Sequence, residues 1–444
     1  MARDKLANLL PLLPAVPIVL LVALLYHDLP FYDEWMFSHT IHRFEAEGLS
    51  WGLLIEPHNE HRIAVARGLL LALVYLTDWN TWYEVALLLA VTLSVVPLLR
   101  FLASPPDRRR DAPLPPLFWV AAAALVFSVN AYGCWLWPWL LSNQLAMAFS
   151  VLALGLLAHS GAGLRSVVLA GVAAFAGSFS AGFGVCVWPV GVAYLALARG
   201  NSRRWLRLAT WCGLGLVCFV LYGGGGAARS PGGAVPSVLQ MAGYLVRWLG
   251  SGVAGQSRIA ASLSGVGFLV WSLGLGALVA TRPSFRTGEL APWALLYGYA
   301  LCVAVLTTIG RASMGVDQAM SPRYVPFSAL GWVALAGLTA SALRAARAEG
   351  VRVPAWAKVW GPVVLVWLLS VPFQVRSLGY ARGRSAKMAA CKERILASRP
   401  LGPELERFLY PDPSWARENE LLFAPRGWSH FRGRAQADPG RGPR

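Results

Sequence analysis

Two adjacent acidic residues, Asp33 and Glu34, follow the first long apolar run of the chain by a few residues. A carboxylate that is partly desolvated at a membrane surface can have a raised pKa and accept a proton from a hydroxyl nucleophile. Neighbouring residues on regular secondary structure point to different sides, so the two carboxylates cannot share one role. We predict that Asp33 is a catalytic base and that Glu34 is its orienting or ligand-binding neighbour. The alternative is that both residues mark a helix end at the lipid headgroups.

A dense polar segment follows in the same stretch of the chain and consists of His58, Asn59, Glu60, His61 and Arg62. Two imidazoles, an amide, a carboxylate and a guanidinium beside an apolar segment suit the binding of an anion or a sugar. The alternative is a solvated turn with a helix cap. The spacing is not a zinc signature, so no metal ligand set is predicted, although a divalent cation is left as an option.

Three residues late in the chain, Arg311, Arg323 and Tyr324, indicate phosphate recognition. Guanidinium groups bind phosphate oxygens bidentately and stay charged in a dry site, and the tyrosine adds a hydroxyl donor. The alternative is that the arginines extend towards the interface and have no ligand. Two amides, Asn143 and Gln144, are weaker candidates for substrate contact. The tryptophans between residues 135 and 139 are expected to be membrane-interface residues, and the alternative is that they stack on a sugar.

The composition determines the class of protein in which these residues must work. Of 444 residues, 56% are hydrophobic and 14% are charged, whereas a soluble domain has about 25% charged residues. The mean hydropathy is +0.52. These values exclude a soluble globular protein and a disordered chain. The six cysteines form no CxxC pair, so neither a disulfide framework nor a structural zinc site is indicated.

Apolar runs long enough for membrane helices recur along most of the chain. They lie near residues 9–27, 83–103, 117–133, 140–158, 166–180, 184–198, 206–222, 263–281, 290–309, 325–343 and 357–374. We therefore predict an all-α polytopic membrane protein with about 11 transmembrane helices. A further apolar segment, 63–77, is short and carries Arg67, so we expect it to lie at the interface.

The distribution of basic residues predicts the orientation of these helices. The formal net charge is +17. The basic residues concentrate in every second loop between the apolar runs, which is typical of loops on the cytoplasmic side. The N-terminus is then cytoplasmic and the C-terminus external, and the charge gives no reason to expect nucleic-acid binding. The first loop, 28–82, is external and contains short interfacial helices. A glycine-rich external loop near 223–262 suggests a mobile lid.

The predicted domain organisation is a transmembrane domain over residues 1–374 and an external polar tail over 375–444. The tail is expected to hold a short helix near 386–398 and to end in a disordered basic segment. Its composition is poor for an independent core. The tail is long enough only to form a cap or to contact the acceptor.

A long external first loop with acidic residues directly after the first helix resembles the type-C membrane glycosyltransferase superfamily, which includes protein mannosyltransferases and aminoarabinose transferases. The combination of YDEW, PHNEHR and SPRY also looks like that of bacterial membrane proteins related to this superfamily. In the mannosyltransferases an Asp-Glu pair follows the first helix, and Asp33–Glu34 matches it. A His-Pro-Pro or Lys-Pro-Pro motif later precedes a short helix in the same loop; here EPHNEHR takes that place with different residues. The resemblance implies a multi-helix membrane fold, a catalytic carboxylate in the first external loop and a polyprenyl-phosphate-linked donor.

On this resemblance we expect sugar transfer at the outer face of the cytoplasmic membrane, to an acceptor glycan, lipid or protein. Asp33 acts as the base, and Arg62, Arg311 and Arg323 meet the charge of the lipid phosphate. No cofactor is firmly implied, and no nucleotide-binding motif is present. The alternatives are a polysaccharide polymerase or ligase, and a transporter or flippase for lipid-linked sugars. A transporter places polar sites near mid-membrane within inverted repeats, and the sequence has no internal repeat.

Overall fold

The computed structural model describes residues 9–59, 61–104, 114–159, 163–197, 203–223, 235–281, 289–350, 361–410, 412 and 423–431. Three features predicted from the sequence fall outside these ranges. They are Glu60, the glycines that follow Gly223, and the basic end of the tail.

Helices make up nearly all of the described chain. The helices of the first half are α1 Val16–Leu25, α2 Phe37–Glu47, α3 Trp51–Ile55, α4 Ala64–Thr77, α5 Thr81–Ala103, α6 Pro116–Val126, α7 Tyr132–Trp135, α8 Leu141–Ala158 and α9 Leu164–Ser178. Those of the second half are α10 Val187–Leu197, α11 Arg204–Gly223, α12 Val238–Ala254, α13 Arg258–Thr281, α14 Leu290–Arg311, α15 Val325–Ala348, α16 Gly361–Leu396 and α17 Pro403–Leu409. A two-residue hairpin, β1 Pro57–His58 with β2 His61–Arg62, is antiparallel.

Eight helical segments of the described chain are long and apolar enough to cross a membrane. They are Thr81–Ala103, Pro116–Trp135, Pro138–Ala158, Arg204–Gly223, Arg258–Thr281, Leu290–Met314, Pro322–Ala348 and Gly361–Leu396. The all-helical, multi-pass build predicted from the sequence is therefore present. The count of eleven is not reached by this measure, because the runs near 9–27, 166–180 and 184–198 form shorter apolar helices. Glycine and serine in the last two runs, and early prolines in the first, shorten them.

Helix α4 has both ends at the same end of the bundle. Its 14 residues extend about 21 Å, less than the roughly 30 Å of a bilayer core. Near its start, the Val65 amide donates to the Phe179 carbonyl at the end of α9. Just after its end, the Thr81 amide and hydroxyl donate to the Asp28 carboxylate that follows α1. This path is the one expected of a helix that lies along the bundle end and does not cross.

The charge of Arg67 has a local use in this arrangement. Its Nη1 donates to the carbonyls of Leu53, Leu54 and Glu56 at 2.8, 2.8 and 2.7 Å. Those carbonyls lie at the C-terminal end of α3, where helical partners are missing. Arg67 is 3% exposed. One buried guanidinium therefore fixes α4 to the end of α3, directly before the β1–β2 hairpin.

Two elements differ from the sequence prediction. The external loop near 223–262, predicted as a lid, contains the ordered helix α12. The predicted domain boundary at 374/375 falls inside α16, and the helix expected near 386–398 is the end of that 36-residue helix. Many residues after Gln374 are polar, so hydropathy does not reveal that helix α16 continues there. Helix formation in that part does not depend on an apolar run.

The described part of the tail forms a cap on the first loop. The Trp35 ring lies 5.0 Å from that of Tyr410 and 5.8 Å from that of Phe423. The Ser429 amide donates to the Asp78 carbonyl at 3.1 Å. The aromatic contacts bury a side of Trp35, which follows the predicted acidic pair directly, so the tail supports that turn.

Close packing of α12 against α13 gives a test of this fold. A Cβ atom at Gly250 would lie 1.9 Å from the Ala261 carbonyl oxygen, whereas one at Gly267 would meet nothing within 4 Å. We expect Gly250→Ala to destabilise the protein by about 1–3 kcal/mol, because backbone must move. Gly267→Ala is the matched control and should leave the unfolding temperature unchanged or slightly raised. Equal unfolding temperatures in differential scanning fluorimetry would contradict the packing.

Candidate active site

A cavity of about 320 Å³ lies at the end of the bundle where the first loop, the 137–143 segment and the 310–324 segment meet. Of the residues predicted from the sequence, it is lined by Asp33, His58, Asn59, His61, Asn143, Arg311, Arg323 and Tyr324. Side chains not predicted as site residues complete it, chiefly Trp137, Trp139, Phe183, Tyr222 and Leu306. Residues nearly 300 positions apart in the chain therefore share one cavity.

The acidic side of the cavity consists of Asp33 and His58. Asp33 Oδ2 lies 4.0 Å from His58 Nε2, and the two side chains are 18% and 13% exposed. That distance is too long for a hydrogen bond, and His58 Nε2 has no hydrogen-bond partner within the described chain. The imidazole packs on the ring of Trp139 at 4.8 Å. Both polar groups are therefore held in place and remain able to bond to a ligand.

The cationic side consists of Arg311 at the end of α14 and Arg323 just before α15. Asp33 and Arg311 are near enough to interact electrostatically. The Arg323 guanidinium lies over the Tyr324 ring at 5.1 Å, and its Nε is buried without a hydrogen-bond partner among the described residues. A buried donor without a partner is costly, so this side suits an anionic ligand.

His61 contributes a neutral imidazole to the same cavity. Burial lowers the pKa of His61 to about 4, and the charges of His58 and Arg323 act in the same direction. It therefore bonds as donor and acceptor at physiological pH without adding charge. A Cβ at Gly182 would lie 2.5 Å from His61 Nδ1, so the close approach of these two segments requires glycine. No motif in the sequence marks Gly182 for this role.

Glu34, unlike Asp33, does not line the cavity. It is 2% exposed, and its carboxylate accepts from the amides of Phe31 at 2.7 Å and Trp139 at 2.9 Å. Burial raises the pKa of Glu34 to about 8, against the lowering effect of those two hydrogen bonds and of Arg384. Glu34 is therefore a positioning residue that joins the acidic turn to the Trp139 segment.

Two predicted binding residues do not line the cavity. Arg62 is 4% exposed and donates to the carbonyls of Ile55 and Tyr222, so it ties the hairpin to α11 and does not face a lipid phosphate. Gln144 is fully buried, and its amide atoms have no hydrogen-bond partner within the described residues. On α8 it points about 100° away from Asn143, which explains why only its neighbour reaches the cavity.

Arg384 is the charged residue that the sequence analysis missed. It comes from the part of α16 that was assigned to the tail. Its guanidinium lies 3.9 Å from the centroid of the Phe31 ring, and it donates to the Leu136 carbonyl at 3.3 Å. Arg384 therefore supports the same two segments that Glu34 joins. A prediction that α16 continues beyond residue 374 would have placed Arg384 on a helix of the bundle.

The described residues contain no group of three His, Cys, Asp or Glu side chains arranged to hold a metal ion. The divalent cation left open by the sequence therefore has no ligand set in this part of the chain.

Comparison with protein-family models, with curated proteins and with solved structures finds no match for this chain.

The raised pKa of Glu34 predicts how stability depends on pH. Its pKa rises from 4.5 to about 8 on folding, so its proton favours the folded state. This contribution is fully present below pH 4.5 and is lost as pH rises through about 8. Glu34→Gln removes it, so the wild-type unfolding temperature should fall relative to that of the variant between pH 4.5 and 8. The exposed residue Glu393 of α16 provides the control, Glu393→Gln, which should not alter this slope. Parallel wild-type and Glu34→Gln curves would show that Glu34 ionises normally.

Proposed function

We propose that the protein is a glycosyltransferase that moves a sugar from a polyprenyl-phosphate donor to an acceptor at the outer face of the cytoplasmic membrane. The observation that carries the proposal is the cavity shared by Asp33, Arg311 and Arg323 at one end of an apolar helical bundle. A carboxylate that acts as base towards the acceptor hydroxyl and two cations that bind a phosphate are the groups that this transfer needs. The cavity volume of about 320 Å³ is within the usual range for small-molecule sites.

In the proposed reaction, Asp33 accepts the proton of the acceptor hydroxyl as its oxygen attacks the anomeric carbon. The bond between that carbon and the phosphate oxygen breaks, and its electron pair stays on the phosphate. The negative charge of the lipid phosphate rises by one in this step. Arg311 and Arg323 stabilise that charge more strongly than the charge of the intact donor, which is the condition for catalysis.

The apolar surface beside the cavity supports a lipid-linked donor. Leu306 and Gly310 of α14 line the cavity, while Val305 and Ile309 of the same helix are 47% and 68% exposed. Tyr222 lines it at the end of α11, and the preceding apolar residues of that helix are exposed as well. A donor with its phosphate at the arginines can thus leave its isoprenoid tail along apolar helix surfaces.

The basic helix ends support the proposed orientation. They lie at the ends of α5, α9, α11 and α15 that are remote from the cavity, at Arg100, Arg165, Arg203, Arg204, Arg344 and Arg347. Positive residues favour the cytoplasmic side, so the cavity faces outwards, the N-terminus is cytoplasmic and the C-terminus is external. Polyprenyl-linked sugars and envelope acceptors are consumed on that outer side.

The position of the polar groups favours transfer over transport. A flippase or transporter for lipid-linked sugars places its polar site near mid-membrane on broken helices. Here Asp33, His58, Arg311 and Arg323 all follow or precede helices at one end of the bundle. A polysaccharide polymerase or ligase also uses polyprenyl-linked glycans, so the position of the polar groups fits that alternative as well.

Asp33→Asn tests the base. The amide keeps the shape of the side chain and cannot take the proton, so transfer should fall by about 100-fold or more, with donor affinity little changed. The assay incubates purified protein with radiolabelled polyprenyl-phosphate sugars and membrane acceptors. Asp78→Asn, at an exposed helix end where φ is 52°, is the matched control and should transfer normally. Full activity of Asp33→Asn would remove Asp33 from the mechanism.

The arginines have a separate test. Arg311→Gln and Arg323→Gln should each weaken binding of a polyprenyl phosphate by about tenfold or more, because each removes a charge-assisted hydrogen bond. Arg376→Gln changes an exposed arginine that bonds to Tyr380 on α16 and should not affect binding. Equal affinities of all three variants, measured by calorimetry, would reject the phosphate site.

A further inference from the structure

A chain of three polar side chains leads from α12 to the cationic side of the cavity. The Tyr244 hydroxyl bonds to the Oε1 atom of Gln318, and Gln318 Nε2 donates to the Tyr324 hydroxyl at 2.9 Å. Tyr324 lines the cavity beside Arg323. Neither Tyr244 nor Gln318 lines it, so they can affect a ligand only through Tyr324.

Two ion pairs of the preceding residue, Asp317, hold Gln318 in place. The Asp317 carboxylate bonds to Arg247 of α12 at 2.5 Å and to Arg258 at the start of α13. Asp317 is 45% exposed, so each pair is weak alone, but the two guanidiniums restrain one carboxylate from two helices. The 3-10 turn Val316–Met320 that carries Gln318 is thereby fixed to α12.

Helix α12 is in turn fixed to the helix that follows Tyr324. The Leu249 carbonyl accepts from Ser328 Oγ at 2.8 Å and from Trp332 Nε1 at 2.9 Å, both on α15. A Cβ at Gly252 would lie 2.8 Å from the Ala329 amide, which shows how closely the two helices approach. Tyr244 and Tyr324 therefore belong to one rigid assembly.

The hydrogen bonds in this chain have a direction. Burial raises the pKa of Tyr244, and the charge of Tyr324 and a direct hydrogen bond to the Tyr324 side chain add to the rise. The Tyr244 hydroxyl therefore keeps its proton and is the donor towards Gln318 and Tyr324. Gln318 accepts with its carbonyl oxygen and donates with its amide. The Tyr324 oxygen is then an acceptor for Gln318, and its own proton is left to point elsewhere. Tyr324 borders the cavity, so a ligand bound there could accept that proton.

We infer that Tyr244 and Gln318 are positioning residues that hold the Tyr324 hydroxyl as a hydrogen-bond donor into the cavity, for a phosphoryl oxygen bound between Arg311 and Arg323. This inference rests on the proposed function, because it takes the anion to be the lipid phosphate of the donor. Two cations alone attract any anion, whereas a fixed neutral donor beside them selects the orientation of the phosphate.

Gln318→Glu tests the direction of the hydrogen bond between Gln318 and Tyr324. A carboxylate of nearly the same size accepts from both tyrosines and donates to neither, so Tyr324 must turn its proton away from the cavity. Tyr324→Phe removes the same donor directly. Each should weaken binding of farnesyl phosphate, the probe, by about tenfold, as expected for one hydrogen bond to a charged group. The double variant should bind no more weakly than Gln318→Glu alone, because Tyr324→Phe then has no donor left to remove.

The measurement uses the full-length protein in detergent, with tryptophan fluorescence as readout because Trp137 and Trp139 line the cavity. Tyr380→Phe removes an exposed hydroxyl of α16 and is the control. Tyr244→Phe should give a smaller loss with an unchanged unfolding temperature, which separates positioning from folding.

Three results would overturn the inference. They are wild-type affinity in Tyr324→Phe, wild-type affinity in Gln318→Glu, and additive losses in the double variant. If the wild-type protein itself fails to bind farnesyl phosphate, the proposed lipid-phosphate donor is rejected together with this inference. If the wild type binds and the variants bind equally well, only the inference fails.

Discussion

The acidic side of the cavity depends on the hydrogen bonds of the buried Glu34 carboxyl group. This group accepts from the amides of Phe31 and Trp139, which belong to segments more than 100 residues apart. The Trp139 ring packs against His58, and His58 faces Asp33. Glu34, whose sequence neighbour Asp33 lines the cavity, thus acts through backbone amides and the Trp139 ring. Loss of either hydrogen bond would loosen His58 as well as the turn that carries Asp33.

The cationic side of the cavity is formed by the ends of long helices and is held by ion pairs, whereas the acidic side is held by buried hydrogen bonds. Arg311 ends one long apolar helix and Arg323 precedes another, so both guanidiniums emerge where a bilayer would give way to water. Ion pairs between Asp317 and two arginines fix the intervening turns to α12. The two sides meet only because the helices bring their ends together, and the strength of the charges there follows from the apolar surroundings.

The sequence predicted the class of fold and much of the cavity lining, because polar residues are costly at a membrane boundary and were concentrated in few loops. It misplaced Arg62 and Gln144, since residue type alone does not reveal which side of a hairpin or helix faces a cavity. It missed Arg384 and helix α12 because neither lies in a long apolar run, and hydropathy detects only such runs. Gly182 was missed because the close approach it permits is a tertiary contact.

The proposed reaction requires that one cavity hold both the phosphate and the reacting carbon of the same donor. The most direct measurement is a cryo-EM structure of the full-length protein with a non-transferable polyprenyl phosphonate sugar. The account predicts the phosphonate between Arg311 and Arg323 and the anomeric carbon on the side of Asp33. A phosphonate bound away from both arginines, or a sugar turned away from Asp33, would contradict it.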